Sequence, residues 1–290
     1  MVHASDRLFG TPDGPYTFLK RRLIRIVPLY WSVTTLYLML AFVLPHLSHK
    51  TYSTTMIAAS YWFLPWTSPD GYVEPVVGQG WTLNYEMLFY VLFCIAVTRS
   101  RHQAVLLVSA ALALAVIVGK IFVLPMPLAY WSQEIVLDFV FGMVLALLYM
   151  FGVRLPFWFR AILMGAGLLL FGWTAWEIGA GELHRSSVWG IAATLVVAGA
   201  MLGVPTGPGT GAQWMGVIGD ASYALYLIHP LVGRAVRELF VRSGADLMVV
   251  SWLYLATVVV VTIFAALVVY FWFERPITRA LRDRFEIRNS

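Results

Sequence analysis

The sequence predicts an all-α fold, a polytopic transmembrane helical bundle of about eight spanning helices plus one short re-entrant or interfacial helix. Composition and run length lead there. Of 290 residues, 60% are hydrophobic and only 12% charged, whereas soluble domains run near a quarter charged. The mean hydropathy is +0.77. Crossing a hydrocarbon core of roughly 30 Å takes about 20 apolar residues, and the chain holds eight runs of that order.

The first run, Leu23–Leu44, follows a basic stretch, "FLKRRLIRIVPLYW". It is too long for a signal-peptide apolar region and no small-residue cleavage site follows it. Next comes Thr54–Trp66, too short to span and read as the re-entrant or interfacial helix. Trp81–Thr98 carries Glu86 in its apolar interior. Ala104–Leu124, Trp131–Met150, Phe157–Trp176 and Ser187–Val204 are plain apolar runs. Val217–Phe240 carries His229, and Val249–Phe273 leads into "ERP" and a basic tail, 277–290. The long connection from about His46 to Gly80, rich in aromatics, Pro and Gly, reads as a lid or an interfacial loop. The whole chain, 1–290, reads as one integral-membrane domain.

Charge orients these spans. With Lys20, Arg21, Arg22 and Arg25 in the cytoplasm, Arg99, Arg101, Arg154, Arg160 and the C-terminal arginines fall on the same side. Lys50, Arg185 and Arg242 are left to the outer loops. The positive-inside rule therefore puts both termini in the cytoplasm. The basic pI of about 9.4 is a topology signal. No soluble basic face exists to carry nucleic acid. The single cysteine, Cys94, sits inside a span, so no disulfide framework or cysteine metal site is expected.

Four stretches could carry chemistry. Arg22 and Arg25 share one helical face; two guanidiniums at an interface suit phosphate or pyrophosphate, or serve as a topology anchor facing anionic lipid. Thr82, Glu86 and Tyr90 are spaced i, i+4, i+8 along one stripe. An ionisable group inside a span is a functional candidate because placing it there is costly; a structural carboxylate is the alternative. Ser222, Tyr226 and His229 in "GDASYALYLIHP" share a face beside Pro230, and His229 is either a general base or a structural hydrogen-bonding group. Glu274 and Arg275, just before Pro276, read as an ion pair to an inner loop, with Pro276 ending the span. His46 and His49 lack further ligands for a metal. "PTGPGTGAQW" lacks the Lys-Ser/Thr of a phosphate-binding loop and reads as a turn. Glu134 and Asp138 read as structural or cavity-lining.

Taken together, "RRLIRIVPLYW", "WTLNYEMLFY", "SYALYLIHP" and "ERP" before a basic tail, in that order from Phe18 to Pro276, resemble the membrane acyltransferase-3 family, in particular its bacterial exopolysaccharide-production branch. The resemblance implies O-acylation of sugars at the cell envelope, with an acyl group, often acetyl, taken from acyl-CoA. Acyl-CoA is a co-substrate, and no bound cofactor and no metal are implied. The expected partners are acyl-CoA, a polysaccharide or lipid-linked saccharide acceptor, and membrane lipids. The expected location is the bacterial inner membrane.

By the same resemblance Arg22 and Arg25 match a functional Arg-x-x-Arg motif and would hold the donor's phosphates. Glu86 and His229 are the catalytic candidates. Tyr90, Tyr223 and Tyr226 are candidates for lining the acceptor cavity. The family has ten spans, with a histidine in the first thought to be the base. This chain reads as eight, its first matching the family's third, so it is expected to be truncated at its N-terminus, with Met1 an internal methionine. His3, outside any apolar run, does not replace that histidine. The competing classes are a lipid-linked sugar flippase, which would consume no thioester, and an inactive acyltransferase remnant.

Overall fold

A computed structural model of the chain describes residues 1–43, 50–176, 185–204, 210–244 and 250–285. Among the described residues the regular structure is helical, apart from an isolated β-bridge between Thr67 and Val73. In order they are α1 (Gly14–Val43), α2 (Thr54–Tyr61), α3 (Trp81–Ala96), α4 (Arg101–Ile121), α5 (Leu128–Trp131), α6 (Leu137–Met150), α7 (Phe157–Trp176), α8 (Arg185–Met201), α9 (Thr210–Asp220), α10 (Ser222–Arg242), α11 (Ser251–Val269) and α12 (Arg275–Phe285). A wide π-helical turn, Tyr270–Glu274, joins the last two.

Among the described residues, four segments are long and apolar enough to cross a membrane: Gly14–Val43, Arg101–Ile121, Phe157–Thr174 and Ser251–Phe285. The other predicted spans fall on shorter or more polar helices. The run Trp131–Met150 is not one helix, because Ser132 and Gln133 interrupt it and α6 keeps 14 residues. That covers about 21 Å at 1.5 Å per residue. The run Val217–Phe240 is broken at Ala221, between α9 and α10. Large apolar side chains face outward, Trp252 83% and Leu169 76% exposed, which suits a lipid surround rather than water.

One compact unit comprises Met1–Leu19 and Asn84–Thr206. Buried Ala104, Val105, Val108, Leu112 and Val116 form the packed stripe of α4, at the i, i+3, i+4 spacing of an amphipathic face. At its start, Arg101 pairs with Asp6. In α7 and α8 small residues let the backbones approach closely, the usual device where lipid removes the hydrophobic drive. A Cβ on Gly167 would lie 2.7 Å from the Ala192 carbonyl, and one on Gly199 2.7 Å from that of Arg160. Arg160 Nε donates to the Gly199 carbonyl at 2.7 Å, placing a cation on the last turn of α8 where the helix dipole favours it. Gly199→Leu should therefore destabilise the chain by about 1–3 kcal/mol through overpacking. Gly233→Ala, where an added Cβ meets nothing within 4 Å, should gain about 0.5–1 kcal/mol from helix propensity. Thermal unfolding in detergent distinguishes the two.

The other unit comprises Lys20–Leu83 and Gly207–Ser290. Here the short α2 folds back against the middle of α1. Ser53 Oγ caps α2 by accepting from the Met56 N–H at 3.2 Å, a strong N-terminal signal. The Trp31 indole donates to the Tyr61 carbonyl at 2.9 Å, and Thr35 and Tyr61 hydroxyls bond at 2.7 Å. Tyr30 packs on Phe63 with centroids 4.7 Å apart. Gly80 lies so close to that ring that an added Cβ would stand 2.9 Å from Tyr30 Cε2. The segment entering α3 thus reaches Tyr30, about 20 Å along α1 from Val43.

The last span also differs from expectation. Pro276 does not end it: the helix continues to Phe285. The π turn just before it already shifts the hydrogen-bond ladder, so the missing proline N–H is accommodated.

Candidate functional site

The residues with chemical potential gather in two places, one in each unit. In the unit containing Lys20–Leu83, a cleft of about 360 Å³ is lined by Arg25 of α1, Asp220 at the end of α9, Tyr270 and Glu274 of the π turn, and Arg275, Thr278, Arg279 and Arg282 of α12. Helical spacing assembles most of it. Tyr270, Glu274, Thr278 and Arg282 recur at four-residue steps, and Arg275, Arg279 and Arg282 at i, i+4, i+7, so both rows share one broad face. The Lys20 ammonium donates to the Phe285 carbonyl, which holds the far end of α12 to the start of α1. Four guanidiniums oppose two carboxylates, so the cleft is cationic.

Sequence reading singles out Arg25, Glu274 and Arg275 but does not join them. Arg279 and Arg282 read only as part of a basic tail, although with Arg275 their spacing marks one face. Glu274 and Arg275, expected at an inner loop, lie in this cleft instead. Arg22 is half-buried and is not among the cleft-lining residues.

The hydroxyls of α10 expected to line an acceptor cavity are engaged in holding the helix. Tyr223 donates to the Ile26 carbonyl of α1 at 2.9 Å. Tyr226 donates to the Gln79 carbonyl and bonds the Thr82 hydroxyl at 2.7 Å. Gln79 Nε2 returns a bond to the Leu227 carbonyl at 2.6 Å. Thr82, Tyr226 and Gln79 thus form a polar knot inside an apolar unit.

His229 is exposed, with Nδ1 2.8 Å from the Tyr226 carbonyl. In a straight helix that carbonyl would receive the N–H of residue 230. Pro230 has none, so the histidine takes its place. Since a carbonyl only accepts, Nδ1 carries the proton and Nε2 is left as the basic nitrogen.

In the other unit, Glu86 accepts a hydrogen bond from the Tyr90 hydroxyl one turn on. Tyr90 is buried and packs edge-on against Phe18, centroids 5.9 Å apart. A buried aromatic scaffold therefore fixes a half-buried carboxylate. Asp138 rests against Gly190 of α8, where any Cβ would collide with its carboxylate. Lys120 pairs with Glu134, and His3 packs against Tyr149. Among the described residues no three His, Cys, Asp or Glu side chains form a metal-binding group. His46, His49 and residues 205–209 lie outside the described residues; the rest of the stretch read as a turn instead opens α9 at Thr210.

Set against known proteins, residues 8–271 match the family described as an acyltransferase domain. The chain is 30% identical over 287 residues to the exopolysaccharide production protein ExoZ of Rhizobium meliloti (strain 1021), covering 97% of this chain and 86% of that protein. No solved structure matches the chain.

Proposed function

We propose that this chain, which belongs to the acyltransferase-3 family of membrane acyltransferases, moves an acyl group, in particular acetyl, from acyl-CoA to a sugar hydroxyl of a surface polysaccharide or its lipid-linked precursor. The similarity to a protein of exopolysaccharide production supports the acceptor class. The observation that carries the donor is the cationic cleft. Arg25, Arg275, Arg279 and Arg282 converge on one cavity, and planar guanidiniums bind phosphate by paired, charge-assisted hydrogen bonds. Coenzyme A carries a pyrophosphate and a 3′-phosphate. In this reading Arg25 and the α12 arginines hold these groups, with Arg22 adding positive charge nearby.

The chemistry is proton abstraction from the sugar hydroxyl, attack of its oxygen on the thioester carbonyl, and departure of the CoA thiolate, which takes up the proton. Glu86 and His229 are the residues proposed to handle that proton. Glu86 is positioned by Tyr90, and His229 offers a lone pair on Nε2. Neither role needs a metal or a bound cofactor. Tyr223 and Tyr226 hold α10 in place through their hydrogen bonds, and with Tyr90 they remain the candidates for lining the acceptor cavity. The positive-inside pattern supports a bacterial inner-membrane protein with this cleft on the cytoplasmic side, where acyl-CoA is found.

The test is thiol release from acetyl-CoA by the native protein in nanodiscs, with and without a saccharide acceptor. Release that depends on acceptor, with acetyl ester appearing on the sugar, is the expected result. Saccharide movement across the bilayer without thiol release would replace this reading with a transporter.

A further inference from the structure

Glu274 is out of place in a phosphate site. It is only 6% exposed, it lines the arginine-rich cleft, and its Oε2 is buried with no hydrogen-bond partner. The other face of the carboxylate meets the Ala224 backbone N–H in the first turn of α10, a favourable place for negative charge. That accounts for one oxygen and leaves the second unsatisfied. The Arg25 charge lies close enough to favour the carboxylate, but a buried oxygen without a hydrogen bond is still costly, and beside a bound phosphate it repels. Asp220, on the rim of the same cleft, adds to the repulsion. For bare phosphate, both acids are a handicap that a purely cationic site would avoid.

We infer that Glu274 is a specificity residue that makes this cleft a nucleotide site: its Oε2 accepts a hydrogen bond from an N–H or O–H of the ligand's nucleoside, while the arginines take the phosphates. The inference rests on the donor reading above and deepens it. Specificity arises as much from disfavouring wrong ligands as from fitting the right one. Inorganic pyrophosphate and lipid phosphate esters without donors meet the carboxylate unpaired. A nucleotide head supplies an exocyclic amine and ribose hydroxyls. Tyr270, half-buried on the same face, gives a base a flat surface. The volume of about 360 Å³ falls at the small end of ligand pockets, suited to the nucleotide head rather than the whole cofactor.

The experiment is calorimetric titration of the full chain in neutral-lipid nanodiscs with adenosine 3′,5′-bisphosphate and with inorganic pyrophosphate. Wild type should prefer the nucleotide, and Glu274→Gln should shrink that preference by about tenfold, mainly by binding pyrophosphate more tightly. Asp220→Asn, on the exposed rim, should move the preference the same way by less. It guards against a folding defect in the buried variant. An unchanged preference in both variants overturns the inference and leaves the donor site standing. If neither probe binds wild type, the donor reading itself fails. If anionic lipid in the nanodisc displaces both probes equally and wild type shows no preference, the cleft is a lipid headgroup site and the inference is overturned.

Discussion

Arg279→Ala should raise the KM for acyl-CoA about ten- to hundredfold while leaving kcat nearly unchanged, and Arg25→Ala should do the same. Each removes a charge-assisted contact of about 1.5–3 kcal/mol, and about 1.4 kcal/mol corresponds to tenfold in affinity. The phosphates do not react, so the loss falls equally on ground and transition states and appears in KM. Arg25→Lys should recover only part of the affinity, because an ammonium keeps the charge and loses the planar fork. Arg284→Ala is the internal control. Arg284 sits on the same helix but is not a lining residue of the cleft, so its loss should leave KM unchanged. An Arg284 effect as large as that of Arg279 would reduce the cleft to a general cationic surface.

Glu86→Gln should behave in the opposite way. We expect kcat to fall about a hundredfold or more, the range of positioned acid–base groups, with acyl-CoA affinity intact. Glutamine keeps the shape and still offers an oxygen to the Tyr90 hydroxyl, so the local packing is preserved. Tyr90→Phe keeps the ring against Phe18 and removes only the hydrogen bond to Glu86. Its effect on kcat should be smaller than that of Glu86→Gln, because the carboxylate remains and is merely less well held. If Glu86→Gln lowers the unfolding temperature sharply and activity only in proportion, the carboxylate is structural.

The class of the fold was legible because it depends on run length and apolarity, which are local. Segment endings were less so. Pro276 looks like a stop, yet the wide turn before it lets the helix run on to Phe285, and a hydrogen-bond register of that kind leaves no residue signature.

Part of the arginine-rich cleft was readable. Arg25 announces itself by its spacing from Arg22, and the i, i+4, i+7 row of Arg275, Arg279 and Arg282 is visible once sought. Their meeting with Arg25 joins residues some 250 positions apart, which no local pattern reveals. The partners of Tyr223 and Tyr226 were hidden for the same reason. Their stripe on α10 is plain in the sequence, but the Ile26 and Gln79 carbonyls that occupy them come from elsewhere in the chain. The pairing of Glu86 with Tyr90, one turn apart, was legible because it is local.

The claim that most needs testing is that the donor's nucleotide end sits between α1 and α12. Photolabelling the native protein with an azidoadenine analogue of CoA, followed by peptide mapping, addresses it directly. The account predicts adducts on the peptides carrying Arg25 and residues 270–282, suppressed by excess CoA. Adducts confined to α4–α8, or labelling that CoA does not suppress, would contradict it.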